Sequence, residues 1–348
     1  MRGGVARIGA LSLAILLSCS PATSDKKSVQ EKSESLLFLR GATLTRLDLA
    51  TGKSARVGTF PTTDVHAAPV EPYVAYVVGS GPPGATEDFV RDPELRVLDL
   101  DSRAEDNAGA GVAPMWNPTG TLVAYLRPTA ERGCEAEACS GLRQVLTFDP
   151  GTGRTEVLSA PGHWTLLGWT GDRVLAADRS ALDGTASLGS GRPRRLPIAP
   201  SEVWGGSPDG HWLLATGPTG TRFLELGPGG SPTGEEVEIT LPGRLADGAW
   251  ASDSSRVAVV LLGRAGVRRA VVFGPDAPKP RTIPGSEVAS GQLLWLGDNR
   301  VVISGVAPGG RLTTSLCPLD GKGCRELFSW GRGVVLLRTE DDGPPRAE

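Results

Sequence analysis

Aromatic side chains, histidine and cysteine are all scarce in this sequence. Aromatic residues make up 5% of the 348 residues, and there are three histidines and five cysteines. The 36 Lys and Arg side chains nearly balance the 39 Asp and Glu side chains, and the longest basic cluster is Arg192-Pro193-Arg194-Arg195. Because nucleic-acid binding depends on clustered basic side chains, we expect no nucleic-acid partner.

The familiar catalytic and cofactor motifs are missing as well. No G-x-x-x-x-G-K-[ST], G-x-S-x-G or H-E-x-x-H pattern occurs. Residues 79–84 match G-x-G-x-x-G, but two prolines interrupt them and no helical pattern follows, so we interpret the match as chance. We therefore expect no cofactor and no metal, and the sequence favours a binding protein over an enzyme while leaving the enzyme open.

The first residues have the three parts of an export signal. Arg2 and Arg7 form a positive start, residues 8–17 form an apolar run, and a small residue then precedes Cys19. Such a run is too short to cross a hydrocarbon core of ~30 Å as a permanent helix, but it suits a cleaved signal peptide. This pattern predicts export and a signal peptide over residues 1–18.

Leu16, Ser18 and Cys19 make this stretch resemble the bacterial lipoprotein signal. The resemblance implies cleavage before Cys19 and lipid attachment at Cys19, which would anchor the chain to a membrane. Ser20 in place of an acidic residue then implies an outer membrane location facing the periplasm. An ordinary signal peptide is the alternative. The polar residues 19–34 predict a disordered tether.

The remaining four cysteines fit an exported protein, because disulfides persist outside the cytosol. They form two local pairs, and proximity favours bridges Cys134–Cys139 and Cys317–Cys324 among the three pairings that four cysteines allow. The second pair flanks a hairpin turn rich in Gly and Asp. Zinc is the alternative, although neither pair has C-x-x-C spacing.

A repeat organises the chain after residue 35. A Trp or a similar residue is followed by a polar turn and then by an apolar run, at intervals of 35 to 53 residues. A second alternating run, a polar turn and a short third run complete each unit. This period suits a β-propeller blade of four strands. The marker tryptophans are Trp116, Trp169, Trp204, Trp250 and Trp295.

The repeat resembles the TolB-type propeller family, whose blades carry a Trp-Ser-Pro-Asp-Gly turn. Trp204 followed by Ser207-Pro208-Asp209-Gly210 comes near this motif with two glycines inserted, and Trp116-Asn117-Pro118-Thr119-Gly120 comes next. The resemblance implies an all-β propeller and says little about function, because propellers perform many unrelated tasks. We expect the tryptophans to fill the space between blades, with ligand stacking as the alternative.

The blade count follows from where the units begin. Residues 35–58 contain three strands without a first one, and the run Gly333–Arg338 has no partners of its own. Joining them in one sheet gives a closed ring of about seven four-stranded blades over residues 35–338, with residues 339–348 as a disordered tail. Six or eight blades are alternatives. The other units begin near residues 66, 111, 163, 202, 245 and 289.

Two long connections are the strongest candidates for a partner site. They link the second and third strands of consecutive units, about residues 79–94 and 127–142, and both carry net negative charge. Adjacent acidic loops would attract a basic protein or peptide partner. Two functionless insertions are the alternative. The acidic candidates are Glu87, Asp88, Asp92, Glu94, Glu131, Glu135 and Glu137.

We therefore predict an envelope-anchored lipoprotein propeller that acts as a protein- or peptide-binding scaffold. One alternative is a propeller enzyme, such as a metal-dependent lactonase or another hydrolase, that uses carboxylates with His66 or His163 at the channel mouth. A protein that binds carbohydrate or another small ligand is the other alternative.

Overall fold

The computed structural model divides the chain into two compact units, Met1–Lys32 and Ser33–Glu348. The residues that it describes all belong to the second unit. Consequently the predicted signal peptide, Cys19 and the tether lie outside the described residues. The described ranges are 35–61, 65–80, 91–129, 141–178, 184–189, 193–196, 198–218, 220–263, 268–287, 291–296, 299–306, 310–330 and 334–340.

The described residues form antiparallel strands, with a short 3-10 turn at Pro200–Glu202. Among them, no helix is long and apolar enough to span a membrane. The strands are β1 (Ser35–Arg40), β2 (Thr43–Asp48), β3 (Ser54–Thr59), β4 (Val65–Ala67), β5 (Tyr73–Ser80), β6 (Arg91–Asp99), β7 (Glu105–Ala110), β8 (Val112–Trp116), β9 (Val123–Pro128), β10 (Arg143–Asp149), β11 (Arg154–Val157), β12 (Trp164–Thr170), β13 (Arg173–Asp178), β14 (Thr185–Leu188), β15 (Arg194–Leu196), β16 (Val203–Gly206), β17 (Trp212–Gly217), β18 (Gly220–Gly227), β19 (Ser231–Ile239), β20 (Arg244–Trp250), β21 (Val257–Leu262), β22 (Arg268–Gly274), β23 (Ala277–Thr282), β24 (Gly291–Leu296), β25 (Arg300–Val306), β26 (Leu312–Pro318), β27 (Arg325–Trp330) and β28 (Val334–Glu340).

These strands build seven four-stranded sheets, which confirms the predicted β-propeller and its blade count. Blade 1 has the order β28-β1-β2-β3, and blades 2 to 7 each use four consecutive strands, from β4–β7 to β24–β27. The six units predicted from the repeat begin within two residues of the observed first strands. We call the four strands of each blade a, b, c and d in sheet order, so that β28 is strand a of blade 1.

The apolar runs of the sequence are the b strands, which are buried on both sheet faces. In β1, Leu36 and Phe38 point toward blade 7, whereas Leu37 and Leu39 point toward blade 2. Burial on both sides explains why these strands read as continuous runs and not as alternating ones. The d strands are more polar and more exposed than the b strands; all four residues of β11 are exposed.

The core is a ring of seven apolar clusters, and each cluster lies between two successive blades. One of them joins blade 7 to blade 1 through Leu296 and Val302 against Phe38. The ring is closed within blade 1, where β28 pairs with β1 from Arg40↔Val334 to Ser35↔Glu340. Strand β28 ends two residues beyond residue 338, and the two ends of the propeller meet in one sheet.

Four tryptophans link blades 3, 4, 6 and 7 to the blade that precedes each of them. The indole N–H at the end of an a strand donates a hydrogen bond to a backbone carbonyl on the a strand of the preceding blade. These rings therefore pack between blades, as we predicted from the sequence, and two of them, Trp116 and Trp169, are 8% and 5% exposed. The bonds are Trp116 Nε1–His66 O (2.8 Å), Trp169 Nε1–Met115 O (3.0 Å), Trp250 Nε1–Gly205 O (3.4 Å) and Trp295 Nε1–Ala249 O (2.6 Å).

Trp204 does not belong to this series, so its assignment as a repeat marker was wrong. Ser207 and Asn117 occupy the same place in their a–b turns, since each side chain accepts from the backbone N–H five residues later. The residue equivalent to Trp116 is therefore Gly206. A Cβ at Gly206 would lie 2.4 Å from the carbonyl oxygen of Trp169, so glycine lets these two blades approach closely.

A disulfide closes the c–d turn of blade 7. Cys317 at the end of β26 is bonded to Cys324, just before β27, which confirms one of the two predicted bridges. Cys317 is fully buried in the cluster between blades 6 and 7. The other predicted bridge, Cys134–Cys139, lies outside the described residues.

Candidate interaction face

The antiparallel sheets give the propeller two distinct ends. The a–b and c–d turns lie at one end, which we call the turn face. The b–c and d–a connections lie at the other, which we call the loop face. Residues 81–90 connect β5 to β6 in blade 2, and residues 129–142 connect β9 to β10 in blade 3. The two long connections thus start from the same face of neighbouring blades, as the repeat predicted.

Asp92 and Glu94 are not loop residues, which corrects one part of the predicted acidic patch. Both lie in β6, which begins at Arg91. The pairing of β6 with β5 on one side and β7 on the other extends the strand through these charged residues. The other acidic candidates, Glu87, Asp88, Glu131, Glu135 and Glu137, lie outside the described residues.

Glu94 belongs to a polar network on the side of blade 2. Arg96 Nη2 donates to Glu94 Oε2 at 2.7 Å, and Arg96 Nη1 donates to Glu105 Oε1 at 3.0 Å. The Tyr76 hydroxyl donates to Glu105 Oε2. Burial, followed by the bond to Glu105, raises the pKa of Tyr76 well above its ordinary value, which keeps the phenol protonated. Glu94 is therefore engaged within the blade, where it shares the charge of Arg96 with Glu105.

The structure does not bring His66 and His163 together. His66 lies in β4, strand a of blade 2, whereas His163 directly precedes β12 of blade 4. Blade 3 lies between them. His211 is on the turn face, in the a–b turn of blade 5. Among the described residues, no group of three His, Cys, Asp or Glu side chains is placed to hold a metal ion.

A group of polar and aromatic side chains lies beside the long connection of blade 3. The backbones of Arg143 and Gly162 exchange two hydrogen bonds of 2.8 and 3.0 Å, which fixes the start of β10 against the d–a connection. A Cβ at Gly162 would lie 2.9 Å from Trp164 Nε1 and 3.2 Å from Asp178 Oδ2. Only glycine leaves both side chains in place. We call Arg143, His163, Trp164 and Asp178 the blade 3–4 cluster.

Sequence reasoning missed this cluster because its members are far apart in the chain. Trp164 and Asp178 are partners across β12 and β13, and His163 Nδ1 lies 3.7 Å from the position of a Cβ at Gly141. The Trp164 indole donates to Ala160 O at 2.9 Å, so its N–H is used within its own connection, while the ring packs against the apolar cluster between blades 3 and 4. A surface with an aromatic ring, an imidazole and a carboxylate can stack on and hydrogen-bond to a ligand.

A half-buried carboxylate, Asp247, lies on strand a of blade 6. Asp247 Oδ2 accepts a hydrogen bond of 3.0 Å from the backbone N–H of Leu293 on strand a of blade 7. Burial raises the pKa of Asp247, although the backbone N–H groups of Gly248 and Leu293 and the charge of Arg268 act against the increase. The side chain joins two blades, and we assign it a structural role.

Comparisons with known proteins give the fold. No protein-family model matches the chain, and no curated protein matches it. Many solved structures do match. A prolyl endopeptidase is 14% identical, with a TM-score of 0.60 over 88% of this chain and 50% of that one. The acylaminoacyl peptidase of Pyrococcus horikoshii is 12% identical, with a TM-score of 0.54 over 86% of this chain and 52% of that one.

TolB from Acinetobacter baumannii also matches, at 13% identity and a TM-score of 0.48, over 88% of this chain and 67% of that one. The present chain thus spans about half the length of the two peptidases and two thirds of TolB. At this level of identity the likeness concerns the fold alone. The chain is a seven-bladed β-propeller, as the resemblance to TolB-type proteins implied.

Proposed function

We propose that this chain is an envelope-anchored β-propeller lipoprotein that binds a protein or peptide partner on its loop face. The observation that carries the proposal is the placement of the two long b–c connections. They start side by side from the loop face of blades 2 and 3, and every other b–c connection is shorter. Long connections on a rigid frame are where binding residues concentrate.

The blade 3–4 cluster supports the same face. Trp164, His163 and Asp178 lie where the blade 3 connection ends, at Gly141 and Arg143. Aromatic rings with a polar edge supply much of the binding energy at protein interfaces. The carboxylate of Asp178 adds negative charge on the face from which the connection with Glu131, Glu135 and Glu137 starts, which favours a basic partner segment.

The position of the chain ends agrees with an anchored scaffold. Ser35 begins β1 at the turn face and pairs with Glu340 there. A tether over residues 19–34 would therefore join the propeller at the end opposite the loop face. This arrangement leaves the loop face clear of its own attachment point.

Charge reversal tests the binding proposal. We expect Glu131→Lys, Glu135→Lys and Glu137→Lys together to weaken a partner captured by cross-linking in the envelope at least tenfold, since several rim charges act in concert. The matched control reverses three exposed glutamates on outer strands, Glu156, Glu235 and Glu238. Equal affinity of both triple variants would refute the loop face as the site. Tight binding of a divalent metal with hydrolase activity would favour the enzyme alternative instead.

Fractionation tests the anchor separately. In a Gram-negative host, the full chain should enter the outer membrane fraction and incorporate labelled palmitate, since several acyl chains hold a protein firmly in a bilayer. Cys19→Ala should lose both properties. Unchanged membrane association of Cys19→Ala without label would contradict lipid attachment but would leave the binding face untouched.

A further inference from the structure

Two arginines of blade 4 pack against a glycine-containing turn of blade 5 at the edge of the turn face, which we call the rim. Arg173 is the first residue of β13, and Arg194 is the first residue of β15. Residues 228–230 form the c–d turn of blade 5 and face them from the next blade. This region is separate from the loop face and takes no part in the function proposed above.

Arg173 is a buried cation that has no acidic partner at ion-pair distance among the residues the structure describes. Its side chain belongs to a residue that is only 9% exposed. Nε donates to Ser187 Oγ at 2.7 Å and Nη2 donates to Ser187 O at 2.9 Å. Within the described part of the chain, Nη1 makes no hydrogen bond and no carboxylate lies at ion-pair distance from this guanidinium. A buried charge of this kind is costly unless an opposite charge meets it.

Arg194 is fixed in the same place by the turn of blade 5. Its Nη1 donates to Pro228 O at 3.1 Å and to Ser231 Oγ at 3.2 Å. The serine hydroxyls of Ser187 and Ser231 therefore lie next to the two guanidinium groups. Arg194 as a whole is exposed at the rim.

The two arginines lie against the same pair of glycines. A Cβ at Gly229 would come within 2.5 Å of Arg194 Nη1, and a Cβ at Gly230 would lie 2.9 Å from Ser187 Oγ and 3.5 Å from Arg173 Cδ. Both glycines have positive φ angles, +80° and +77°. Glycine is needed here both for the turn and for the close approach of the charged groups.

The electrostatics of the pair match this geometry. Burial, and then the positive charge of Arg194, lower the pKa of Arg173, and Asp172 offsets only a part of this. Arginine nevertheless stays charged at physiological pH. The fold therefore keeps two like charges close together without a compensating carboxylate at ion-pair distance among the described residues.

We propose that Arg173 and Arg194, with the hydroxyls of Ser187 and Ser231, bind an oxyanion of the phosphate type at this rim. Guanidinium groups bind phosphate oxygens through paired N–H donors, and a doubly charged anion would neutralise both arginines at once. The anion can be free phosphate or the phosphate of a lipid headgroup, since both present the same oxygens.

Calorimetric titration of the full chain with inorganic phosphate, at constant ionic strength, tests this site. We expect Arg194→Gln to raise the Kd on the order of tenfold, since it removes a charge-assisted contact. Arg195→Gln is the matched control, because Arg195 is exposed and is the next residue on the same strand. It should leave the Kd unchanged.

Thermal unfolding provides a second measurement that needs no substitution at the buried Arg173. Phosphate should raise the Tm of the wild type and of Arg195→Gln but not that of Arg194→Gln. Glycerophosphoglycerol, a soluble headgroup phosphodiester, separates the two sources: tighter binding than phosphate identifies a headgroup, and weaker binding identifies the free anion. The proposal is overturned if the wild type binds neither probe at millimolar concentration, or if both arginine variants bind phosphate equally.

Discussion

Replacing Trp169 with Phe tests whether the indole bonds hold neighbouring blades together. The Trp169 ring is 5% exposed and donates to Met115 O at 3.0 Å. Phe keeps an aromatic ring but removes the N–H, so a buried carbonyl oxygen loses its donor. An unsatisfied group of this kind costs about 1–3 kcal/mol, and the smaller ring adds about 1 kcal/mol.

We therefore expect Trp169→Phe to lower the free energy of unfolding by about 2–4 kcal/mol, or the Tm by about 4–8 °C. The chain offers a matched control in Trp250, whose ring is partly buried and whose Nε1–Gly205 O distance is 3.4 Å. Since little bond energy remains at that distance, Trp250→Phe should cost about 1 kcal/mol.

Scanning calorimetry and urea unfolding of the purified variants provide the measurement. Both variants should give one cooperative transition with an unchanged m value, which would place the effect in the folded state. Equal losses for the two substitutions, or a wild-type Tm for Trp169→Phe, would refute the view that the indole N–H bonds contribute to the contact between blades.

Three further predictions concern other blades. Replacing Cys317 and Cys324 together with Ser should cost about 2 kcal/mol, measured by urea unfolding against the wild type, because the bridge closes only a short loop. Asp247→Asn should raise the Tm at pH 7 but not at pH 4, because a pKa raised above 3.8 in the folded state means that the stability falls as the pH rises through that pKa. The Asn side chain can still accept the hydrogen bond from Leu293 N–H, and a lower Tm at pH 7 would refute this reasoning. Deleting residues 334–348 should make the protein aggregate, because β1 becomes an open sheet edge, and size-exclusion chromatography would detect the aggregates. A monomeric product with the stability of the full chain would count against ring closure by β28.

The blade architecture was accessible from sequence because its signals are local. Polar turns, apolar b strands and the missing first strand before residue 35 gave the number of sheets and the first strand of each blade within two residues. Each signal spans fewer than ten residues and depends on burial of both sheet faces. The terminal closure followed from counting strands.

Features that depend on register were not accessible in this way. Two glycines, Gly205 and Gly206, separate Trp204 from the turn that starts at Ser207 and place Trp204 two residues before the repeat position, and only the hydrogen bonds of the turn show that Gly206 takes that position. Asp92 and Glu94 read as loop residues by composition, but pairing with two neighbours makes them part of β6. Pairing energy outweighed local propensity there.

The two candidate sites show the same limit. The blade 3–4 cluster joins residues from two blades that are up to 35 positions apart in the chain, from Arg143 in β10 to Asp178 in β13. The arginine pair joins β13 and β15 through a turn of another blade. Such proximity depends on the strand order and on the packing of neighbouring blades, and local residue patterns do not reveal either of them.

The seam in blade 1 has a mechanical consequence. Ser35 faces Glu340 at the same end of the β1–β28 pair. A force applied to both chain ends would therefore break the hydrogen bonds between the two strands one after another, starting at that end, and would not load all the bonds at once in shear. A protein of this design resists heat through its whole ring of interfaces. Under tension applied to its termini, the propeller would open first between β1 and β28.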